Sequence, residues 1–291
     1  MRITLPSSLG SRLNGLARHL GLAPRGNRQL CQQAASLQLP FPALPAATDS
    51  IWWQSGPPLQ RLATLAHGAL SGPVLEDKAC AHAALCGLVR LEERELGEFD
   101  LRWIDGLGST PTAEGSACRR LEDYAATPAC RDIRLISYKD FSRILGQGLA
   151  RQPAGPLDVQ QASWRGDRYF HGGERDPAAF ACAVAYARRR GLALQFRARL
   201  REYRLSRCGM ERLDLSHHVL AMPVAAWNDA RFMRLLLTGM PYARLTLFRE
   251  PAAPELLLLP RQHEASDALG AGLRHAGAAD VLDWLRALPF G

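Results

Sequence analysis

The sequence predicts an α+β fold, with a helix-rich N-terminal region followed by a mixed, mainly antiparallel β-structure with helices. Three observations carry this. Up to about residue 87 the apolar residues recur at helical spacing. From Leu88 onward, short runs of alternation bounded by Gly, Pro and Asp replace that period. Beyond Cys130 strand-like and helical runs interleave, and no internal repeat organises them. A chain of 291 residues accommodates two such parts, and the reading divides it near residue 130, into 1–130 and 131–291.

In the first part, residues 7–22 form an amphipathic pattern through Leu9, Leu13, Leu16 and Leu20, with Ser7 or Ser8 as N-cap. A second helix is expected over 27–38. The stretch Leu39–Pro58 contains five prolines and the pair Trp52-Trp53, which predicts an extended connection anchored on the surface by its indoles. Helices follow at about 59–70 and 76–87, the latter opened by Glu76 and Asp77 at its positive end. Val89, Leu91, Phe99, Leu101 and Trp103 alternate with charges around Gly97, the pattern of a β-hairpin over 88–105. Asp105-Gly-Leu-Gly-Ser-Thr-Pro lacks the lysine and spacing of a phosphate loop and reads as a turn.

In the second part a strand is expected at 133–138, a helix at 139–146 and a strand at 159–164, with 167–170 continuing it or forming its hairpin partner. Asp176-Pro177 is a capping residue followed by proline at the first helical position, and Gly191 closes the helix it opens. Leu192–Leu205 alternates apolar residues with Arg197, Arg199 and Arg201, as a half-buried strand does. Further strands are expected at 213–222, 242–248 and 255–259, a helix from Asn228-Asp229 to Gly239, and helices at 264–275 and 278–288.

The formal charge of +8 comes from 34 Arg and 2 Lys against 28 acids. It is unevenly placed: about +5 over 1–75, −3 over 76–150, +7 over 151–210 and −1 over 211–291. Arg188–Arg190 and the arginines of 197–204 suit a phosphate-rich ligand, a nucleic acid or an acidic partner protein. No nucleic-acid motif accompanies them, and Phe196 and Tyr203 are the only rings in the basic run. Seven scattered cysteines favour free thiols in a reducing compartment. The longest run without charge, Gln29–Thr48, is interrupted by prolines, and no signal-peptide pattern precedes it. These features lead to the expectation of a cytoplasmic protein that does not cross a membrane.

The most suggestive chemistry lies between Ile133 and Pro260. Arg134-x-x-Ser137 opens it, then come Tyr169-Phe170-His171-Gly172-Gly173, the helix Phe180-Ala-Cys-Ala-Val-Ala-Tyr-Ala, and late Glu255 followed by an aliphatic run to Pro260. In this order the elements of 131–261 resemble the ADP-ribosyltransferase fold, a split β-sandwich that holds NAD. The resemblance implies NAD as cofactor, no metal, and a macromolecular target. It implies Glu255 and His171 as catalytic residues and Arg134, Ser137 and Tyr169 as cofactor-binding ones. An arginine holds phosphates bidentately, and a carboxylate stabilises the positive charge that develops as a glycosidic bond breaks. Glu255 lies five residues before Pro260 where the family pattern has four, so its register decides which face it serves.

Two other chemistries fit the residue types. Cys182 or Cys80 with His217 or His218 and Asp229 has the composition of a thiol hydrolase. Cys80-x-His82-x-x-x-Cys86 places His82 and Cys86 one helical turn apart, but no second pair completes a metal site. A non-catalytic reading has Trp52-Trp53 and the basic surfaces engage a partner protein or nucleic acid.

Overall fold

The computed structural model describes residues 25–46, 48–149, 155–248, 250 and 252–288, so the helix expected over 7–22 lies outside the described residues. Its helices in chain order are α1 (Arg25–Ala35), α2 (Leu75–Cys86), α3 (Leu121–Ala125), α4 (Tyr138–Gly148), α5 (Pro177–Arg190), α6 (Arg207–Ser216), α7 (Ala230–Leu236), α8 (Glu264–His275) and α9 (Val281–Ala287). The strands are β1 (Leu70–Ser71), β2 (Val89–Asp100), β3 (Ile104–Leu107), β4 (Leu157–Ala162), β5 (Tyr169–His171), β6 (Gln195–Leu205), β7 (His217–Met222), β8 (Ala243–Leu245), β9 (Glu255–Pro260) and β10 (Ala279–Asp280). They form two five-stranded sheets in which antiparallel pairs predominate, so the fold is α+β. Among the described residues no helix is long and apolar enough to cross a membrane.

The chain divides into two compact units, though not near residue 130. Among the described residues, the first gathers 25–44, Leu65–Leu88 and Arg207–Ala287; the second gathers Pro45–Thr64, Val89–Ser206 and 288. The reason is a long-range pairing. β2 runs antiparallel to β6 from Val89↔Leu205 to Asp100↔Gln195, so residues on both sides of 130 share one sheet.

In the second unit the sheet order is β2-β6-β4-β5-β3. The expected hairpin over 88–105 is instead a single strand, and Gly97 falls where its register with β6 shifts between Leu96 and Phe99. The chain then turns through Leu101–Trp103, capped by Asp100, and enters β3, which pairs parallel to β5. β4 and β5 pair antiparallel, as hairpin partners. No strand forms at 133–138. Ser137 and Asp140 make a reciprocal capping box that starts α4, leaving the preceding residues as a loop with Arg134 exposed. α5 begins and ends where its signals stand, with Asp176 accepting from the Ala179 N–H at 3.0 Å and Gly191 left-handed at φ +65°. α4 crosses α5 closely at Gly148, where a Cβ would fall 2.6 Å from the Phe180 nitrogen.

The tryptophan pair belongs to the interior of this unit, not to its surface. Trp52 is fully buried and donates its indole N–H to Gly115 O at 2.7 Å. Arg165, itself buried, donates to Ser50 O at 2.8 Å and Trp52 O at 3.0 Å and lies over the Phe170 ring. Burial and the Arg168 charge push its pKa down to about 10, which leaves it cationic at neutral pH. The helix expected at 59–70 shrinks to a 3-10 turn, Leu59–Leu62.

In the first unit the antiparallel order is β1-β8-β9-β7-β10. Every residue of β7 is buried. Residues 213–216, expected in the strand, finish α6 instead: Gly209, Met210 and Leu213 are buried at three- and four-residue spacing while Leu215 is exposed. α8 starts with His263 as its N-cap and packs on α1 across Gly272, where a Cβ would fall 2.4 Å from Cys31 O. α7 is short, capped by Asp229 through the Phe232 N–H.

Candidate functional site

Of the five residues implied by the resemblance, four belong to the second unit and Glu255 to the first. Arg134 and Ser137 lie in the loop before α4, Ser137 as its cap. Tyr169 and His171 share β5. Tyr169 packs edge-to-face on Phe99 at 5.3 Å, and His171, buried, stacks on Phe180 at 4.6 Å and donates from Nδ1 to Asp158 O at 3.1 Å. Glu255 belongs to the first unit, at the start of β9 opposite Met222. It accepts from Arg244 Nε at 3.0 Å and Nη2 at 2.5 Å, and that guanidinium stacks on Trp227 at 3.7 Å. Each of these side chains except Arg134 has a structural partner.

The basic run of 188–204 is answered within its own unit. Arg199 and Arg201 sit opposite Glu95 and Glu93 on β2. Arg94 and Arg204 both pair with buried Glu202. Arg188 donates to Arg102 O, Ile104 O, Asp105 and Glu122 at 2.8–3.1 Å. The +7 of residues 151–210 is therefore countered by acids from the −3 segment before it.

Of the thiol candidates, Cys182 is buried in α5. A hydrogen bond with Cys130, then burial, raises its pKa far above the usual thiol value, the opposite of activation. It belongs to the second unit and His217 and His218 to the first, while Asp229 is engaged as a helix cap. His82 donates to Leu65 O at 2.8 Å and stacks on His67, with Cys86 Sγ 3.7 Å from its Nε2. Among the described residues no three His, Cys, Asp or Glu side chains stand as a metal-binding group.

Cys80 is different. It lines a cavity of about 440 Å³ in the first unit, between α2 and α6 at the end of β7. Ala83, Ala84 and Gly87 form its small-residue wall beside Cys80. Arg212 and Ser216 enter from α6, His217 from the start of β7, and Gln262 from the turn after β9. Cys80, Ala83, Arg212 and Gln262 are exposed and form the rim; His217 is buried at the base. The volume lies within the range of small-molecule pockets, ~300–1,000 Å³.

The base of the pocket is a fixed polar pair. Ser216 Oγ is 2.8 Å from His217 Nδ1 and 3.2 Å from Leu213 O. Arg261 donates to His217 O at 3.3 Å and to Asp214 at 3.0 Å, and Asp214 also holds Arg286 at 2.5 Å. Burial first, and then the charge of Arg261, lowers the His217 pKa to about 4, so the imidazole is neutral at pH 7. Arg212 forms no ion pair among the described residues, which leaves its charge for a ligand. Sequence reasoning picked out Cys80 and His217 but missed Ser216, Arg212 and Gln262. The available signal was the spacing of Met210, Leu213 and His217, which marks a helix running up to Ser216.

A family model, described as a family of unknown function (DUF6685), matches residues 94–290, more than half of the chain. That span includes Arg212, Ser216, His217 and Gln262 and begins after α2. No curated protein and no solved structure matches the chain.

Proposed function

For a chain that belongs to DUF6685, a family of unknown function, we propose that the first unit binds a small anionic molecule, bearing phosphate or carboxylate, in the pocket between α2 and α6. The observation that carries the reading is the convergence of Arg212, Gln262 and the Ser216–His217 pair on one cavity of about 440 Å³ walled by alanine and glycine. Arg212 supplies a planar two-donor fork for the anion. Gln262 offers an amide, and neutral His217 a hydrogen-bonding nitrogen that adds no charge of its own. Ala83, Ala84 and Gly87 let the ligand approach the α2 backbone.

The same pocket favours binding over thiol catalysis, and a magnitude decides between them. A histidine of pKa about 4 receiving a proton from an ordinary thiol of pKa about 8.5 works uphill by about 6 kcal/mol. A thiolate partner needs an imidazole poised near neutrality, which burial and Arg261 prevent here.

Calorimetric titration of the full chain with NAD, ADP-ribose, AMP, pyrophosphate and a dicarboxylate tests the reading. At least one is expected to bind, with affinity at least about tenfold weaker in Arg212→Ala and absent in Ala84→Leu, which fills the cavity. No binding by any of them, or binding indifferent to both substitutions, overturns it. NAD has a place in the panel because of the resemblance to the ADP-ribosyltransferase fold. Binding confined to NAD and ADP-ribose would narrow the ligand to that class.

A further inference from the structure

The thiol of Cys80 shares one face of α2 with the wall of the pocket. Cys80, Ala83, Ala84 and Gly87 follow one another at helical spacing, so they lie on the same side of the helix and its cap, and all four line the cavity. The two ends of that wall differ. At one, Arg212 Nη2 lies 3.5 Å from the position of a Gly87 Cβ, so a guanidinium stands over the glycine. At the other, Cys80 is exposed. Two helical turns separate them, about 10 Å along the axis.

A buried nitrogen also opens on this cavity. His217 is only 6% exposed, and its Nδ1 is taken by Ser216. Its Nε2 meets no hydrogen-bond partner among the described residues, yet it is not shielded from solvent. Because His217 lines the cavity, that nitrogen is available to an occupant.

The lining narrows what the occupant is. Arg212 is the one cationic side chain among the described residues that line the cavity, which matches a single carboxylate better than a polyphosphate. Gln262 and the His217 nitrogen are neutral hydrogen-bonding groups, suited to peptide amides. The thiol at the far end is a nucleophile toward sulfur. An extended peptide covers the distance between the thiol and the guanidinium in about three residues.

We infer that this pocket receives a peptide-sized disulfide bearing a carboxylate, and that Cys80 is the site at which it forms a mixed disulfide. This rests on the reading of the pocket as an anion site. With the carboxylate on Arg212, the Cys80 thiolate attacks the nearer sulfur of the bound disulfide. A new S–S bond to Cys80 forms as the old one breaks. Cys80 is oxidised, and the departing half leaves as a reduced thiolate that takes up the proton Cys80 gave to water. No neighbouring base takes part, in keeping with the weakly basic His217. Selectivity comes from holding the disulfide beside the thiol, which raises its effective concentration there.

The test is reaction of the full chain with glutathione disulfide, a carboxylate-bearing peptide disulfide, followed by peptide mass spectrometry under non-reducing conditions. Cys208 is the internal reference, because it too is exposed but does not line the cavity. Cys80 is expected to react at least about tenfold faster than Cys208, with the ratio falling to parity for the uncharged hydroxyethyl disulfide. Ala84→Leu, which fills the cavity and leaves Arg212 in place, should also bring the ratio to parity. Should that variant fail to fold, S-methylglutathione decides instead: it keeps the carboxylates, lacks the disulfide, and should slow Cys80 while sparing Cys208. Parity in the parent chain, an equal preference with the uncharged disulfide, or indifference to both Ala84→Leu and S-methylglutathione overturns the inference. Arg212-dependent anion binding by calorimetry, together with parity in the parent chain, sinks this inference alone; absence of both sinks the pocket reading as well.

Discussion

Ser216 Oγ and His217 Nδ1 stand 2.8 Å apart across the junction of α6 and β7, the last residue of a helix bonded to the first of a buried strand. The junction explains why the imidazole is neutral. It is held in the interior by the strand, oriented by the helix, and faced by the cation of Arg261 rather than by a carboxylate.

A pH dependence follows from this. The folded pKa of His217 is about 4, against about 6.5 in an unfolded chain. Between those values the unfolded chain binds a proton that the folded chain refuses, so stability falls as pH drops through that window and levels off below it. At about pH 4.5 this one group has removed roughly 2.5 kcal/mol. Urea denaturation at pH 7 and at about pH 4.5 should show a loss larger by that amount in the parent chain than in His217→Gln. Equal losses would refute it.

The cysteines should react in order of access. Cys80 and Cys208 are exposed, Cys130 and Cys182 buried, and the Cys182 thiol is held protonated by Cys130 and by burial. Iodoacetamide at mildly alkaline pH, followed by peptide mass spectrometry, is expected to modify Cys80 and Cys208 first and Cys182 last. A ligand bound in the pocket should slow Cys80 selectively and leave the Cys208 rate unchanged.

Arg165 is expected to matter more to folding than any exposed arginine. Its guanidinium joins the Ser50 and Trp52 carbonyls to the Phe170 ring from within the interior. Arg165→Met removes a buried charged donor from both carbonyls, leaving Ser50 O to Arg168 and Trp52 O to the Ser55 N–H, and should cost roughly 2 kcal/mol in chemical denaturation. Arg197→Met, removing an exposed pair 3.8 Å from Glu95, should cost under about 1 kcal/mol. Comparable losses for the two would show that the Trp52 segment does not depend on this clamp.

What the sequence disclosed was mainly local. Asp176, Pro177 and Gly191 bracket α5 because capping and chain termination act within a few residues, and α8 occupies its expected span for the same reason. Some failures were local, as where the Ser137–Asp140 capping box replaced an expected strand, but the larger ones were long-range. The alternation of β2 was visible, but its partner lies about a hundred residues away on β6, so a hairpin was the nearest closure on offer. Arg199 and Arg201 looked like free charge because Glu95 and Glu93, which face them, come from another segment. In the pocket, Cys80 and His217 had suggestive residue types, whereas Arg212, Ser216 and Gln262 acquire meaning only once α6 and the turn after β9 are brought beside α2. Trp52-Trp53 read as surface anchors because an extended, proline-rich segment gives no periodicity from which burial can be inferred.

Glu255 separates a structural role from a catalytic one. Its carboxylate fastens Arg244 against Trp227, with the acid side chain 16% and the arginine 30% exposed. Glu255→Gln keeps the shape but removes the charge, so it should lower stability by about 1–2 kcal/mol. A role in stability alone predicts that calorimetric titration of this variant reproduces the parent's affinity for whichever anion occupies the pocket, with only the denaturation midpoint shifted. Loss of NAD or ADP-ribose binding in Glu255→Gln at unchanged stability would instead return this carboxylate to the site that the sequence resemblance implied.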